Sequence, residues 1–444
     1  MTNELDKILI SASQRDFKKR LDKLHWKLLR EARFGGFDRE SEHNRKKVLN
    51  IIRNVSDRKY QAVRGYTNKF DKVDIPPERF QVSEKQMQQS HNEIDKNTLK
   101  AIRQAIENVR KYQREIFIGN KKENKHPGIK YTPIKRVGIC VPGASAPLPS
   151  TVIMTAVPAQ VADVKEIVVV SPPRFKDDIH PVTLAVCFEL GIEEVYRVGG
   201  AQAVAALSTD EVVPGFKKVD KIVGPGNKWV QTAKLINFGY IDIDSVAGPS
   251  EVLIIANDKA NPAWVAADML SQAEHDPGSA ILFTDSKKLT EKVFIELKKQ
   301  LSRLNRVEKT KKCLIEFSII AYFNKMDDVI LKANDFAPEH LQIQCSNKSK
   351  KIADKIENAG AIFIGDYSPV AVGDYWAGPS HTLPTGQTAK FFSALSANDF
   401  IKSTSIIEYD KKKLAESAED IIRLAEAEGL DAHAKSIKIR LPRR

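Results

Sequence analysis

The sequence predicts an α/β protein: two Rossmann-like parallel-sheet units that lack a GxGxxG fingerprint, preceded by a helical N-terminal segment. Three observations carry this. From residue 136 onward short β-branched runs alternate with helical patterns, IVVV, VYRV and KIV in one set, EVLIIA and AILFT in a second. Two glycine-bearing turns, Val198-Gly199-Gly200-Ala201-Gln202 and Val223-Gly224-Pro225-Gly226-Asn227, each follow such a run and open a helix. Before residue 130, by contrast, apolar residues recur at helical spacing among charges, as in Leu99, Ile102, Ile106, Val109 and Tyr112.

Taken in order, helical spacing covers residues 5–54 and 97–119, with Asp74-Ile75-Pro76-Pro77 breaking the pattern between them. The stretch 119–131, rich in Lys, Asn and Gly around His126 and Pro127, reads as a linker and sets a boundary near 130. In the first sheet unit the helices fall at 181–190, 201–207 and 229–236, and in the second at 263–275 and 289–304. A last helix over 411–428 stops at Gly429, and a polar tail, DAHAKSIKIRLPRR, follows. The expected domains are therefore 1–130, 131–250, 251–390 and 391–444.

A chain of 444 residues with 42% hydrophobic and 29% charged residues has core enough for several domains, which excludes disordered and fibrous classes. The longest apolar stretch, 151–164, contains Pro158, Gln160 and Asp163 and falls short of the ~18 residues of a membrane span. No cleavable apolar leader is seen, so a cytoplasmic protein without membrane contact is expected. Cys140, Cys187, Cys313 and Cys345 are scattered and form no CxxC pair, which leaves nitrogen and oxygen as the ligands of any metal. The net charge of +13 sits in the N-terminal third: residues 1–135 hold 32 basic against 18 acidic side chains, residues 136–444 hold 38 against 39. That segment lacks zinc-finger, helix-turn-helix or aromatic-interleaved patterns, so the excess reads as a solvated face rather than a nucleic-acid arm.

Four loop or helix-end motifs carry the chemistry. Gln272 and His275 stand three apart at the end of a helix pattern and share a face, where they would grip one metal or merely cap the helix. Glu339-His340 follows a proline turn and sets a carboxylate beside an imidazole. Asp374 and His381 share a Gly- and Pro-rich loop, and Glu428 and His433 sit near the C-terminus, where a histidine is unusual. The remaining histidines, His25, His43, His91, His126 and His180, lie in charged helices or linkers and read as surface residues. The two glycine turns fit either an anion-binding helix start or a tight strand–helix corner.

In this order, RVGGAQAVAAL, VDKIVGPGN, AGPSEVLIIA, SQAEHD, NDFAPEHL, VGDYWAGPSHTLPT and EGLDAHAKS resemble the histidinol dehydrogenase family, from about Arg136 to Ile439. The resemblance implies oxidation of L-histidinol to L-histidine with two NAD, at the end of histidine biosynthesis. It further implies one zinc per subunit and a homodimer whose C-terminal arm is exchanged into the partner's site. Carried over by motif, Gln272, His275, Asp374 and His433 would bind zinc, with His340 as general base and Glu339 activating water. Ser250, His381 and Glu428, with the zinc ligands and His340, would contact the substrate, and Cys140, Gln202 and Asn227 would contact NAD.

Departures from the family pattern occur at Cys140, where tyrosine is usual, and at Ala144 and Gln387, where glycine is. Loss of the tyrosine removes an aromatic wall from the cofactor site. Two other readings compete: a relative oxidising another small alcohol or polyol, and a non-catalytic zinc protein tethered to nucleic acid by its basic segment. Glu339 beside His340 has no use in the second.

Overall fold

The computed structural model describes residues 4–32, 39–120, 128–143, 147–275 and 277–442. Of the positions read above, Lys121–Pro127 in the expected linker, Ala144 and Asp276 lie outside the described residues. The strands are β1 (Leu9–Ser11), β2 (Ile129–Pro133), β3 (Arg136–Cys140), β4 (Glu166–Ser171), β5 (Glu194–Arg197), β6 (Lys221–Val223), β7 (Asp242–Ile243), β8 (Ser250–Ala256), β9 (Gly278–Thr284), β10 (Ile319–Tyr322), β11 (His340–Gln344), β12 (Ala361–Ile364) and β13 (Ile401–Ser405).

Two parallel sheets form, a five-stranded one in the order β5-β4-β3-β6-β7 and a six-stranded one in the order β1-β10-β9-β8-β11-β12. Their inner strands β4 and β8 are buried over all but their first one or two residues, which is why IVVV and EVLIIA read as unbroken apolar runs rather than alternating ones: helices cover both faces. The helices between them start where the sequence supplies a cap or a proline. Asn227 accepts from the N–H groups of Trp229 and Val230, Asn261 from Ala263, and Ser286 from Leu289, while Pro149, Pro181 and Pro262 occupy first-turn positions.

The N-terminal segment is not a separate helical layer. Leu9–Ser11 is a strand that pairs with β10, and the Phe17–Ala32 helix lays Phe17, Leu21, Leu24 and Leu28 onto the six-stranded sheet. The Arg39–Asp71 helix, broken at Lys59, instead packs Val48, Ile51, Val55 and Val63 against the five-stranded sheet. Charge between the apolar positions hid these partners, because periodicity shows which face is buried but not against what.

Several histidines read as surface residues are not. His25 is pressed against Phe336 with ring centroids 4.2 Å apart, and burial pushes its pKa down to about 4. His91 Nε2 lies 2.6 Å from Glu189 Oε2, and His180 caps the Pro181–Glu189 helix through Nδ1. His43 is exposed as expected. Helix bounds also differ, by three residues at the end of the expected 289–304 helix, which is Lys287–Leu301. The expected 263–275 helix is Pro262–Ala273, so His275 falls just beyond it, and part of the polar tail after Gly429 forms the Asp431–Lys438 helix.

The chain divides into two compact units, one of residues 1–120 and 133–400, the other of 121–132 and 401–444. The first holds both parallel sheets. In the second, β13 pairs with β2, and the Lys411–Ala427 and Asp431–Lys438 helices bury Ala418, Ala425 and Ala434. Among the described residues no helix is long and apolar enough to cross a membrane.

One buried ion pair shapes the turn after β6. Lys234, fully buried, donates to Asp244 and to the Gly224 carbonyl at 3.1 Å, and Asp244 accepts from the Gly224 N–H at 2.7 Å. Gly224 has φ 104°, and a Cβ there would strike the Cys140 carbonyl, so glycine is required. Removing one partner strands the other charge in the interior. Lys234→Ala should lower the unfolding free energy by ~3–5 kcal/mol in urea titration; a loss below about 1 kcal/mol would show the pair to be dispensable.

Candidate functional site

The first cluster sits where β8, β11 and β12 begin. Upstream of β11 the Met326–Phe336 helix ends at Ala337, whose φ of 49° is left-handed, and Pro338 follows. A non-glycine residue held there costs of order 1 kcal/mol and delivers the next two side chains in a fixed direction. The Gly360 N–H then bonds the Pro338 carbonyl at 2.9 Å, and the Ala361 N–H bonds the Glu339 carbonyl at 2.9 Å. Gly360 approaches so closely that a Cβ would meet the Glu339 carbonyl.

The β8–β11 register pairs His340 with Val252, which brings Ser250 and Glu251 beside Glu339. Glu339 Oε2 accepts from Ser250 Oγ at 2.8 Å and from the Glu251 N–H at 2.8 Å. His340, 3% exposed, directs Nδ1 at the Glu251 carbonyl, 3.0 Å away, with Glu339 Oε2 at 3.4 Å. Both neighbours of Nδ1 are acceptors, so the neutral ring carries its hydrogen there and leaves the lone pair on Nε2. That Nε2 is buried, has no hydrogen-bond partner and lies 3.8 Å from Asp374 Oδ1. Burial acts to lower the His340 pKa, but Glu339, Asp374 and the Glu251 carbonyl outweigh it and raise it to about 9.

Around this pair stand the other expected residues of the first unit. Burial raises the Asp374 pKa and Glu339 adds to it, while His340 and His275 oppose. His381 is pushed down to about 4 by burial and by His340 and His275, so it is neutral at neutral pH, and its Nε2 is buried without a partner. His275 is exposed; Gln272 is 2% exposed with an unpartnered amide nitrogen. Asp374 also borders a cavity of about 280 Å³ with Ile102, Pro149, Ile153, Met154 and Trp376. Glu428 and His433 belong to the second unit, where both are exposed.

A second, separate concavity of about 100 Å³ lies at the C-terminal ends of β3, β4, β5 and β6, between Cys140, Pro172, Gly199, Gly200, Pro225 and Asn227. This is the edge at which open α/β sheets bind ligands. Two of the three expected cofactor residues, Cys140 and Asn227, line it. The third, Gln202, is buried with neither amide atom partnered. Burial pushes the Cys140 thiol up to about 12, which keeps it neutral and unreactive. Arg174, which carried no expectation, also borders the cleft and is held by Asp71 at 2.7 Å.

Among the described residues no three His, Cys, Asp or Glu side chains are grouped to hold a metal. The expected set draws only His275 and Asp374 of those types from the first unit, the rest being the Gln272 amide and His433. Imidazole nitrogen, carboxylate oxygen and an amide oxygen are donor types that zinc accepts, so the chemistry of the set fits that ion.

These two sites define the class: a two-sheet α/β protein with a buried imidazole–carboxylate pair at one strand edge and a glycine-lined cleft at another. The chain matches the family described as histidinol dehydrogenase over residues 37–441. It is 45% identical over 398 residues to histidinol dehydrogenase of Rhodopirellula baltica, covering 88% of this chain and 86% of that one. To the Bacillus subtilis protein of that name it is 43% identical over 410 residues, covering 91% and 94%. The crystal structure of histidinol dehydrogenase from Elizabethkingia anophelis superposes with a TM-score of 0.83 at 35% identity, covering 89% of this chain and 91% of that one. The chain belongs to the histidinol dehydrogenase family.

Glu251 is the site residue that the sequence reading missed, although it stands next to Ser250. A carboxylate at the head of the apolar run EVLIIA was the available signal. The glycine usual at position 387 gains a reason, though its replacement by glutamine does not: φ there is 68°, in the left-handed region that glycine adopts without strain. Gln387→Gly should therefore raise the unfolding free energy by about 1 kcal/mol in chemical denaturation; a destabilised variant would show that the glutamine side chain repays the strain.

Proposed function

We propose that the chain carries out the zinc-dependent, NAD-linked oxidation of L-histidinol to L-histidine through L-histidinal, the last two steps of histidine biosynthesis. Family membership supports the reaction. The observation that carries the assignment of roles is the His340 imidazole, its Nδ1 occupied by the Glu251 carbonyl and its Nε2 free beside Asp374.

In this reading the neutral form of His340, whose share grows as the pH rises toward its pKa of about 9, takes the substrate's hydroxyl proton at Nε2 while bound NAD would accept the hydride from the carbinol carbon, giving the aldehyde. Glu339, fixed by Ser250 Oγ and the Glu251 N–H, accepts a proton from the water that adds to the aldehyde. Bound NAD would then accept a second hydride from the hydrate as one of its hydroxyls gives up its proton to the neutral His340, its first proton having passed to solvent, and the acid is the product. Ser250, His381 and Glu428 orient the substrate, with neutral His381 offering a hydrogen bond that carries no charge. Gln272, His275 and Asp374 would hold zinc together with His433 of a second copy. Bound zinc would anchor the nitrogen groups of the amino-alcohol as a template rather than activate water.

Cys140, Gln202 and Asn227 would face NAD in the cleft of the five-stranded sheet. Residues 391–444 would form an arm exchanged within a homodimer. Exposed Leu424 on the first of its helices, and Leu430 and Ile439 flanking the second, support a surface that docks elsewhere.

The test is NADH formed per L-histidinol consumed, with a panel of small alcohols alongside. Two NADH per histidinol, abolished by a chelator and restored by zinc, is the expected result; turnover of another alcohol but not histidinol would replace the substrate. His340→Asn should lower kcat by at least 10²-fold, the low end of what a positioned base supplies, with zinc content unchanged. Loss of zinc with activity would remove the base assignment. Glu339→Gln should slow oxidation of L-histidinal more than that of L-histidinol, measured by single turnover on each; equal losses would contradict the division of roles.

A further inference from the structure

Glu251 lies at the second position of β8 with its side chain 1% exposed, the one carboxyl in an otherwise apolar run. Burying a carboxyl without compensation costs several kcal/mol, so its surroundings need an explanation. Its Oε1 accepts two backbone hydrogen bonds, from the Glu339 N–H at 3.2 Å and from the Gly386 N–H at 3.1 Å. Its own backbone reaches the same pair, the N–H donating to Glu339 Oε2 and the carbonyl accepting from His340 Nδ1. One residue therefore touches Glu339 twice and His340 once, and ties both to the loop that follows His381. The same loop is held a second time by Thr385, whose Oγ1 accepts from the Gly248 N–H at 2.5 Å.

We infer that Glu251 is a positioning residue for the oxidation: its side chain, through two buried N–H groups, holds the Glu339–His340 pair in register with the His381 loop. The inference rests on the reaction proposed above. It assigns Glu251 no contact with substrate. Burial and the charge of Glu339 push its pKa up to about 8, so the carboxyl is mostly protonated at neutral pH and acts through a carbonyl-like oxygen. A glutamine presents the same neutral acceptor, whereas alanine leaves both N–H groups buried and unpaired. An aspartate, one methylene shorter, draws the oxygen back from them.

The experiment compares Glu251→Ala, Glu251→Asp and Glu251→Gln with the unaltered full-length protein. It reads kcat and KM on L-histidinol and on L-histidinal, zinc content, and hydrogen exchange at the Glu339 and Gly386 amides. Glu251→Ala should lose kcat at least 100-fold on both substrates, with KM for NAD within threefold and zinc retained, and both amides should exchange at least tenfold faster. Glu251→Gln should recover at least tenfold of that kcat and restore amide protection. Should the alanine variant not fold, Glu251→Asp answers the same question, with a kcat loss of at least tenfold expected. A folded alanine or aspartate variant with wild-type kcat, unchanged amide protection, or a glutamine variant no better than alanine would each overturn the inference. Inactivity of the unaltered protein on histidinol would defeat the proposed reaction instead; amide exchange would still decide whether Glu251 holds both segments.

Discussion

The parallel register of β11 against β8 is the constraint on which the rest of the candidate site's geometry depends. Pairing His340 with Val252 sets Glu339 against Ser250 and Glu251, so that backbone groups rather than flexible side chains hold the two candidate proton carriers. A slip of one residue would turn His340 and Glu339 to opposite faces and break every bond described between them. The left-handed turn at Ala337, the close approach of Gly360 and the bridging carboxyl of Glu251 all act to prevent that slip.

The two sites occupy opposite kinds of edge. The glycine-lined cleft is at the C-terminal ends of β3–β6, the usual place for a ligand on an open parallel sheet, where strand ends and helix starts point their N–H groups outward. The imidazole–carboxylate pair is at the N-terminal ends of β8 and β11. Here the helices arrive C-terminus first, and the side chains themselves supply the polar groups. Gly224 connects the sheet geometry to the cleft: the Lys234–Asp244 pair consumes its N–H and carbonyl and leaves the following Pro225-Gly226-Asn227 to shape the wall.

Much of this could be read along the chain. The strand–helix alternation located the parallel sheets because helices on both faces demand unbroken apolar strands. The motifs around Glu339, Asp374 and His381 stood out as candidates because charged and imidazole side chains next to proline and glycine have few structural uses, and the fold brings these three residues close enough to the His340 imidazole to interact with its charge. Periodicity was less informative about the N-terminal segment, whose β1 is three residues long and pairs with a strand more than 300 residues away. His25 was misjudged for the same reason: charged neighbours on its helix said nothing of Phe336 waiting on the buried side.

Local chemistry fixed the identity of the elements, the turns that need glycine or proline, and the family, since each depends on residues close in sequence. The tertiary fold alone decided which nitrogen of His340 lacks a hydrogen-bond partner, that His381 is neutral, and that Glu251 reaches segments 88 and 135 residues further along the chain. Hydrogen-bond partners and burial are properties of distant segments brought together, and no pattern within one segment encodes them.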